Sequence, residues 1–194
     1  MSEMTPVSAL GGAVRAEGLA VRIEEVAGLG MIMLRADFDQ PQARAALEQA
    51  LGAAPPGPLA RAVAGARALV WMAPDEYLLT LPRGEVAATL AQLGAALAGL
   101  HHLALDVSDA RATFRLSGAG AREVVAKGMP ADLSRRAFGT GAARRSHLGP
   151  VAAAVWTVAD APETLELVCA RSVAGYVFDW LVASAREGTL PGVL

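Results

Sequence analysis

In RLSGAGAREVVAKGMP, residues 115–130, a strand-like run passes two glycines and enters a helix-like run. Phosphate-binding loops are built this way: glycines let the backbone approach the anion, and the free N–H groups at the helix start meet it. The dinucleotide fingerprint requires G-x-G-x-x-G, with a carboxylate about 20 residues further on for the ribose. Gly118 and Gly120 supply the first two glycines, but Glu123 holds the third position, where its charge would repel a pyrophosphate. The phosphate-loop pattern G-x-x-x-x-G-K-[ST] fails as well, because Lys127 precedes Gly128 and Met129 follows it. The glycines therefore read as a turn. Ser117 and Gly118 mark the helix entrance with Gly118 as its cap, and Gly128 closes the helix in the left-handed conformation.

Other residues with chemistry to offer read as structural. His101 and His102 are adjacent, so on a strand they face opposite sides and cannot share a metal. His147 has no partner at ligand spacing, and no Cys/His cluster suggests zinc. Cys169 continues the alternation of Leu165 and Leu167 and reads as a buried, inert thiol. Asp75 and Glu76 sit side by side in a turn, and Asp106 and Asp109 bracket another, where turn formation explains them. SRRAFGTGAARRSH concentrates Arg135, Arg136, Arg144 and Arg145, which are read as solvated or paired with acidic groups of this chain or of a partner, with an anion site as the alternative.

The elements that would position these residues follow from periodicity. Leu19, Val21 and Ile23 alternate with polar residues as a half-buried strand does, and residues 31–34 are apolar on both faces. A helix is expected from Pro41, with Ala43, Leu47 and Leu51 on one side; GAAPPGP (residues 52–58) ends it and is the most linker-like stretch. RALVWMAPDEYLLTLP reads as a hairpin around Pro74 and Asp75, and Val86, Leu90, Leu93 and Leu97 recur at helical spacing. The plan repeats in HHLALDV, ATFRL, a helix over residues 119–127, strands near 151–158 and 164–169, and a last helix with Val173, Val177, Trp180 and Ser184 on one face. Trp71 and Trp156 lie 85 residues apart, Leu34 and Leu116 82 apart. Near-equal offsets predict a duplication: an α+β fold of two ferredoxin-like β-β-α-β-β-α halves, residues 1–99 and 100–194, each an antiparallel or mixed sheet with helices on one face.

Composition bounds the function. The 194 residues are 54% hydrophobic, but no apolar run reaches the roughly 18 residues of a membrane span. A net charge of −2 and 5% aromatic residues argue against nucleic-acid binding. The early Glu3 and the lack of a basic region before an apolar stretch do not read as a secretory leader. A single cysteine fits a reducing, cytoplasmic setting.

WMAPDEYLLTL (residues 71–81), DVSDARATFRLSGAGAREVVAKGMPADLSRRAF (residues 106–138) and CARSVAGYVFDWL (residues 169–181) together resemble the gamma subunit family of heterotetrameric sarcosine oxidases, as does the early SAL. Trp71, Pro74, Asp75, Glu76, Asp106, Ser108, Ser117, Gly118, Lys127, Gly128 and Trp180 carry the motif. The resemblance implies a bacterial complex that demethylates sarcosine oxidatively to glycine and hydrogen peroxide, yielding formaldehyde or methylene-tetrahydrofolate. It places FAD, FMN, NAD and tetrahydrofolate in the alpha and beta subunits and zinc in delta. This chain would hold no cofactor, metal or catalytic residue of its own and would dock on alpha, with the four arginines as possible contacts. The implied fold is similar to the folate-binding domain of the glycine-cleavage aminomethyltransferase, which keeps open the alternative of a stand-alone folate-dependent one-carbon transferase or binding module. The acidic pair and the asparagine expected in that enzyme are replaced here by GARAL (residues 65–69) and TLPRG (residues 80–84). Asp109 and Ala119 depart from the gamma pattern.

Overall fold

A computed structural model describes residues 7–194; the reading of the first six residues, Glu3 among them, lies outside the described residues. Among these residues the strands are β1 (Val14–Arg15), β2 (Arg22–Glu25), β3 (Leu29–Ala36), β4 (Arg61–Ala64), β5 (Arg67–Ala73), β6 (Glu76–Pro82), β7 (His102–Asp106), β8 (Arg111–Ser117), β9 (Ala143–Leu148), β10 (Val151–Asp160) and β11 (Glu163–Ala170). The helices are α1 (Pro41–Leu51), α2 (Val86–Ala96), α3 (Ala121–Ala126) and α4 (Ala174–Ser184). None of them is long and apolar enough to cross a membrane. All strand pairs are antiparallel, so the expected α+β class holds and the mixed-sheet option falls away.

The helices form where the apolar period demands them. α1 starts with proline in its first turn and buries Ala43, Ala46, Leu47, Ala50 and Leu51, one stripe at helical spacing. α4 buries Ala174, Val177, Phe178 and Leu181, a face turned slightly from the expected one, with Trp180 at its margin. Each helix pair covers one face of one sheet. Ile32, Leu34, Leu79 and Leu81 pack under α1 and α2; Phe114, Leu116, Leu165 and Leu167 pack under α3 and α4.

Contacts divide the chain into Gly28–Ser108 and a second unit made of Asp109–Leu194 with the residues up to Ala27. The first sheet runs β4-β5-β6-β3-β7, the second β1-β2-β8-β11-β10-β9. The divisions fall after residues 27 and 108 rather than after 99, because two strands change sides. β2 pairs with β8, and β7, expected to open the second half, pairs with β3. The repeated order is β-α-β-β-β-α rather than β-β-α-β-β-α, since β4 and β9 add a strand that the periodicity did not reveal. GAAPPGP is no linker either. It lies inside one unit, where the Pro56 carbonyl accepts the Tyr77 hydroxyl at 2.9 Å.

The duplication is visible in the register. Leu34 pairs with Tyr77 and Leu116 with Leu165, which makes Leu34 and Leu116 equivalent. The tryptophans are not equivalent. A β-bulge follows Trp71 in β5 and Thr157 in β10, so Thr157 matches Trp71, and Trp156 is shifted by one residue to the opposite face. Trp71 packs toward its unit's core, whereas the Trp156 indole donates to Glu166 at 2.8 Å.

Since β2 completes the second unit's core through Ile23, Ile23→Ala is expected to cost about 2–5 kcal/mol in denaturant unfolding. A loss within about 0.5 kcal/mol, the scale of surface changes, would show that β2 is not integral to that sheet.

Candidate functional site

The glycine-flanked entrance of α3 was the first candidate for an anion site, and it already holds an anion of its own chain. Gly120, at φ 103°, is the N-cap in place of Gly118. Glu163, at the start of β11, places Oε2 3.2 Å from the N–H groups of Gly120 and Arg122. Its Oε1 accepts from Arg122 Nε at 2.9 Å and pairs with Arg135 at 2.9 Å. The Arg122 side chain is 1% exposed, yet its donors are engaged: Nη1 to the carbonyls of Leu133 and Phe138, Nη2 to Asp160 at 2.9 Å. The guanidinium also lies over the Phe138 ring. Asp160 accepts the Thr140 hydroxyl, and that bond, ahead of the Arg122 charge, holds its carboxyl below the ordinary range. Two arginines and two carboxylates thus balance at a site that a phosphate would need to enter.

Glu123, read from sequence as a repulsive charge, binds the chain's end. Its oxygens accept from the N–H groups of Leu194 at 3.0 Å and Gly192 at 2.8 Å. The Leu194 N–H is the chief reason that its carboxyl is held below its usual value. Lys127 donates to the Ser184 carbonyl at 2.6 Å and to Thr189 at 2.8 Å, placing a cation at the C-terminus of α4, where the helix dipole favours it. Gly128 is not left-handed, contrary to expectation. It is glycine for another reason: a Cβ there would come within 2.5 Å of the Trp180 ring. Lys127, Gly128 and Trp180 therefore dock α3 against α4, while Ser117 ends β8 and the Gly118 N–H is held by the Glu163 carbonyl at 2.9 Å.

The other motif residues fall in the Gly28–Ser108 unit. Asp106 accepts from the N–H and hydroxyl of Ser108, and the Ser108 oxygen accepts the Met31 N–H at 2.9 Å. This turn caps the end of the β3 ladder. Asp75, beside Pro74 in the β5–β6 turn, pairs with Arg35 at 2.5 Å, and the buried Glu76 lies 4.0 Å from the same guanidinium. Arg35, Pro74 and Asp75 border an open cleft of about 810 Å3, which Asp37, Asp39, His101 and His102 also line. Among the described residues no three His, Cys, Asp or Glu side chains come together as a metal site. Cys169 is buried, which pushes its thiol up to about 11.

Of the four clustered arginines, Arg135 pairs with Glu163, and Arg144 stacks on Phe138 and donates to the Ala137 carbonyl. Arg136 and Arg145 are exposed. Arg122, Asp160 and Glu163 were missed in the sequence reading. Only a buried position for an arginine in the first turn of α3 could have signalled them. The two positions at which the resemblance to aminomethyltransferases led to the expectation of polar folate-site residues are occupied otherwise. At the start of β5, where an acidic pair is expected, Arg67 is bonded to Glu85 at 2.6 Å, and β6 runs into Pro82, Arg83 and Gly84.

Comparison with known proteins agrees with the motif reading. The description "Sarcosine oxidase, gamma subunit family" matches residues 35–187. The chain is 35% identical over 177 residues to a sarcosine oxidase subunit gamma from Arthrobacter sp., covering 90% of this chain and 84% of that one. It is 34% identical over 146 residues to one from Corynebacterium sp. (strain P-1), covering 74% and 70%. Among solved structures, a chain of the heterotetrameric sarcosine oxidase from Corynebacterium sp. U-96, in complex with pyrrole 2-carboxylate, superposes with a TM-score of 0.80 at 28% identity, covering 93% and 91%. Aminomethyltransferase T of the glycine cleavage system from Bartonella henselae shares the fold at a TM-score of 0.62 and 15% identity, over 84% of this chain and 45% of that one.

Two outcomes test the internal charges. Glu163→Ala leaves Arg122 buried without its main partner and is expected to lower unfolding free energy by about 3–5 kcal/mol; a change within about 0.5 kcal/mol would refute the assignment. The folded Glu123 carboxyl is depressed, so its stabilisation is complete above the unfolded carboxylate pKa and disappears as pH falls through the folded one. The Tm advantage of the wild type over Glu123→Gln is therefore expected at neutral pH and lost in acid, and an advantage independent of pH would contradict it.

Proposed function

The chain belongs to the sarcosine oxidase gamma subunit family, and from that membership we propose that it is an accessory, noncatalytic subunit of a heterotetrameric sarcosine oxidase, docked on the alpha subunit. The observation that carries this reading is where its chemically capable side chains are spent. Glu163, Arg122 and Asp160 close a helix, Lys127 caps another, and Asp106 and Ser108 form a turn. Groups held in such bonds stabilise a scaffold and are poorly placed to exchange protons with a substrate. Sarcosine demethylation, with its flavins, NAD, folate and zinc, is assigned to the alpha, beta and delta companions in a cytoplasmic complex. Arg135, Arg136 and Arg145 are the exposed members of the arginine cluster that a companion could meet. Docking is preferred to the folate-module alternative, for which the aminomethyltransferase likeness supports the fold alone.

Co-expression with the alpha subunit followed by size-exclusion chromatography is expected to give a single co-eluting species. Separate elution of the two chains at micromolar concentration would overturn the proposal.

A further inference from the structure

Among the described residues the two sheets end in four edge strands, and three of them are guarded. β1 is two residues long, β4 has four residues and carries Arg61, and β9 carries Arg144 and Arg145. Short length and basic side chains discourage pairing with another chain. β7 has neither protection. It pairs with β3 from His102 to Asp106 without a bulge, contains no lysine, arginine or proline, and bears its one carboxylate, Asp106, at the far end in the turn with Ser108.

The register identifies the backbone groups at its outer edge. Val107 donates to the Met31 carbonyl at 2.9 Å, and the same register sets Leu105 opposite Met33 and Leu103 opposite Arg35. Hydrogen-bonded pairs alternate along an antiparallel ladder. Leu103 and Leu105 therefore turn their N–H and C=O groups to β3, and His102, Ala104 and Asp106 turn theirs outward. Leu103 and Leu105 are 42% and 47% exposed, on the sheet face away from the helices. At the His102 end lies the open cleft, whose charged lining among the described residues is Asp37, Asp39 and Asp75 with Arg35, the last two paired with each other. Its charge is negative, so a cation suits it.

We propose that the outer edge of β7 receives an extended segment of the companion subunit as a sixth strand, with a lysine or arginine of that segment seated beside Asp37 and Asp39. This assignment rests on the docking role proposed above and supplies its surface. Main-chain bonds to Ala104 hold the segment in register, its alternate side chains cover Leu103 and Leu105, and the acidic cleft selects the basic one.

The test uses the full chain with the alpha subunit and three variants. Ala104→Pro removes an outward N–H and leaves the β3 ladder intact. Leu105→Lys puts a charge into the contact, and Asp39→Lys cancels the net negative charge of the cleft. Thermal unfolding of each variant is compared with wild type; if Ala104→Pro fails to fold, Leu105→Lys decides the question. The wild type is expected to bind, Ala104→Pro and Leu105→Lys to weaken binding by about tenfold or more, and Asp39→Lys to weaken it and flatten its salt dependence. Absence of wild-type binding defeats the docking role itself. Wild-type binding with folded variants that bind equally well defeats the edge assignment alone. A wild-type chain that dimerises by itself and becomes monomeric on Leu105→Lys also overturns it, by giving the edge to a second copy.

Discussion

Neither half of the chain can finish its own sheet. β2 and β3 are separated by residues 26–28, a gap short enough for a hairpin, yet the two strands part. Val26 extends the β2 ladder by donating to the Thr113 carbonyl, and β3 then joins β6 and β7. β7 and β8 part in the same manner. Ile23 ends up opposite Leu116, and closing so long a loop in place of a tight one costs about 3 kcal/mol, at about 0.6 kcal/mol per doubling of length. Burying Val21 and Ile23 returns roughly 1.5–3 kcal/mol for each side chain. Packing therefore outweighs proximity, and the exchange makes each unit depend on a strand that precedes the other's repeat.

The same economy explains the α3 entrance. A short helix begins with free N–H groups and a positive field, and something must answer them. Glu163 does so from the first position of β11, a place fixed by the sheet rather than by the loop. An isolated buried carboxylate would cost several kcal/mol in lost hydration, and Arg122 offsets that only because its remaining donors find Leu133, Phe138 and Asp160. The glycines let the backbone reach the carboxylate, as they would let it reach a phosphate. The sequence motif and the phosphate loop resemble each other because both solve one electrostatic problem.

Legibility in the sequence tracked how local the determining interactions are. α1 was readable because Pro41 and the stripe from Ala43 to Leu51 lie within one helix. The equivalence of Leu34 and Leu116 was readable because Leu34 lies in an apolar run that reads as a central strand and Leu116 in the alternating run ATFRL. β4 and β9 were not, since RAVA and ARRSHL are edge strands whose polar residues hide the period of two. Trp71 and Trp156 misled by a single residue, and the paired bulges that fix the true register leave no mark in composition. At the candidate site, Gly118 and Gly120 drew attention to the right turn, but its partner Glu163 lies far along the chain among the apolar residues of a strand, where nothing local connects it to Arg122.

The edge of β7 bears on how such a subunit can be recognised. Association gives up an estimated 4–15 kcal/mol of translational and rotational freedom. Leu103 and Leu105 are already partly covered, so completing their burial returns less than the roughly 1.5–3 kcal/mol available for each full side chain. Outward main-chain groups of a five-residue strand add net contributions of about 0.5–1.5 kcal/mol per hydrogen bond. The edge by itself therefore comes close to the cost of docking without greatly exceeding it. In the proposed docking its role would be to set register and direction, with the acidic cleft selecting a segment that carries a cation, and the remaining free energy would have to come from wider surface elsewhere on the chain.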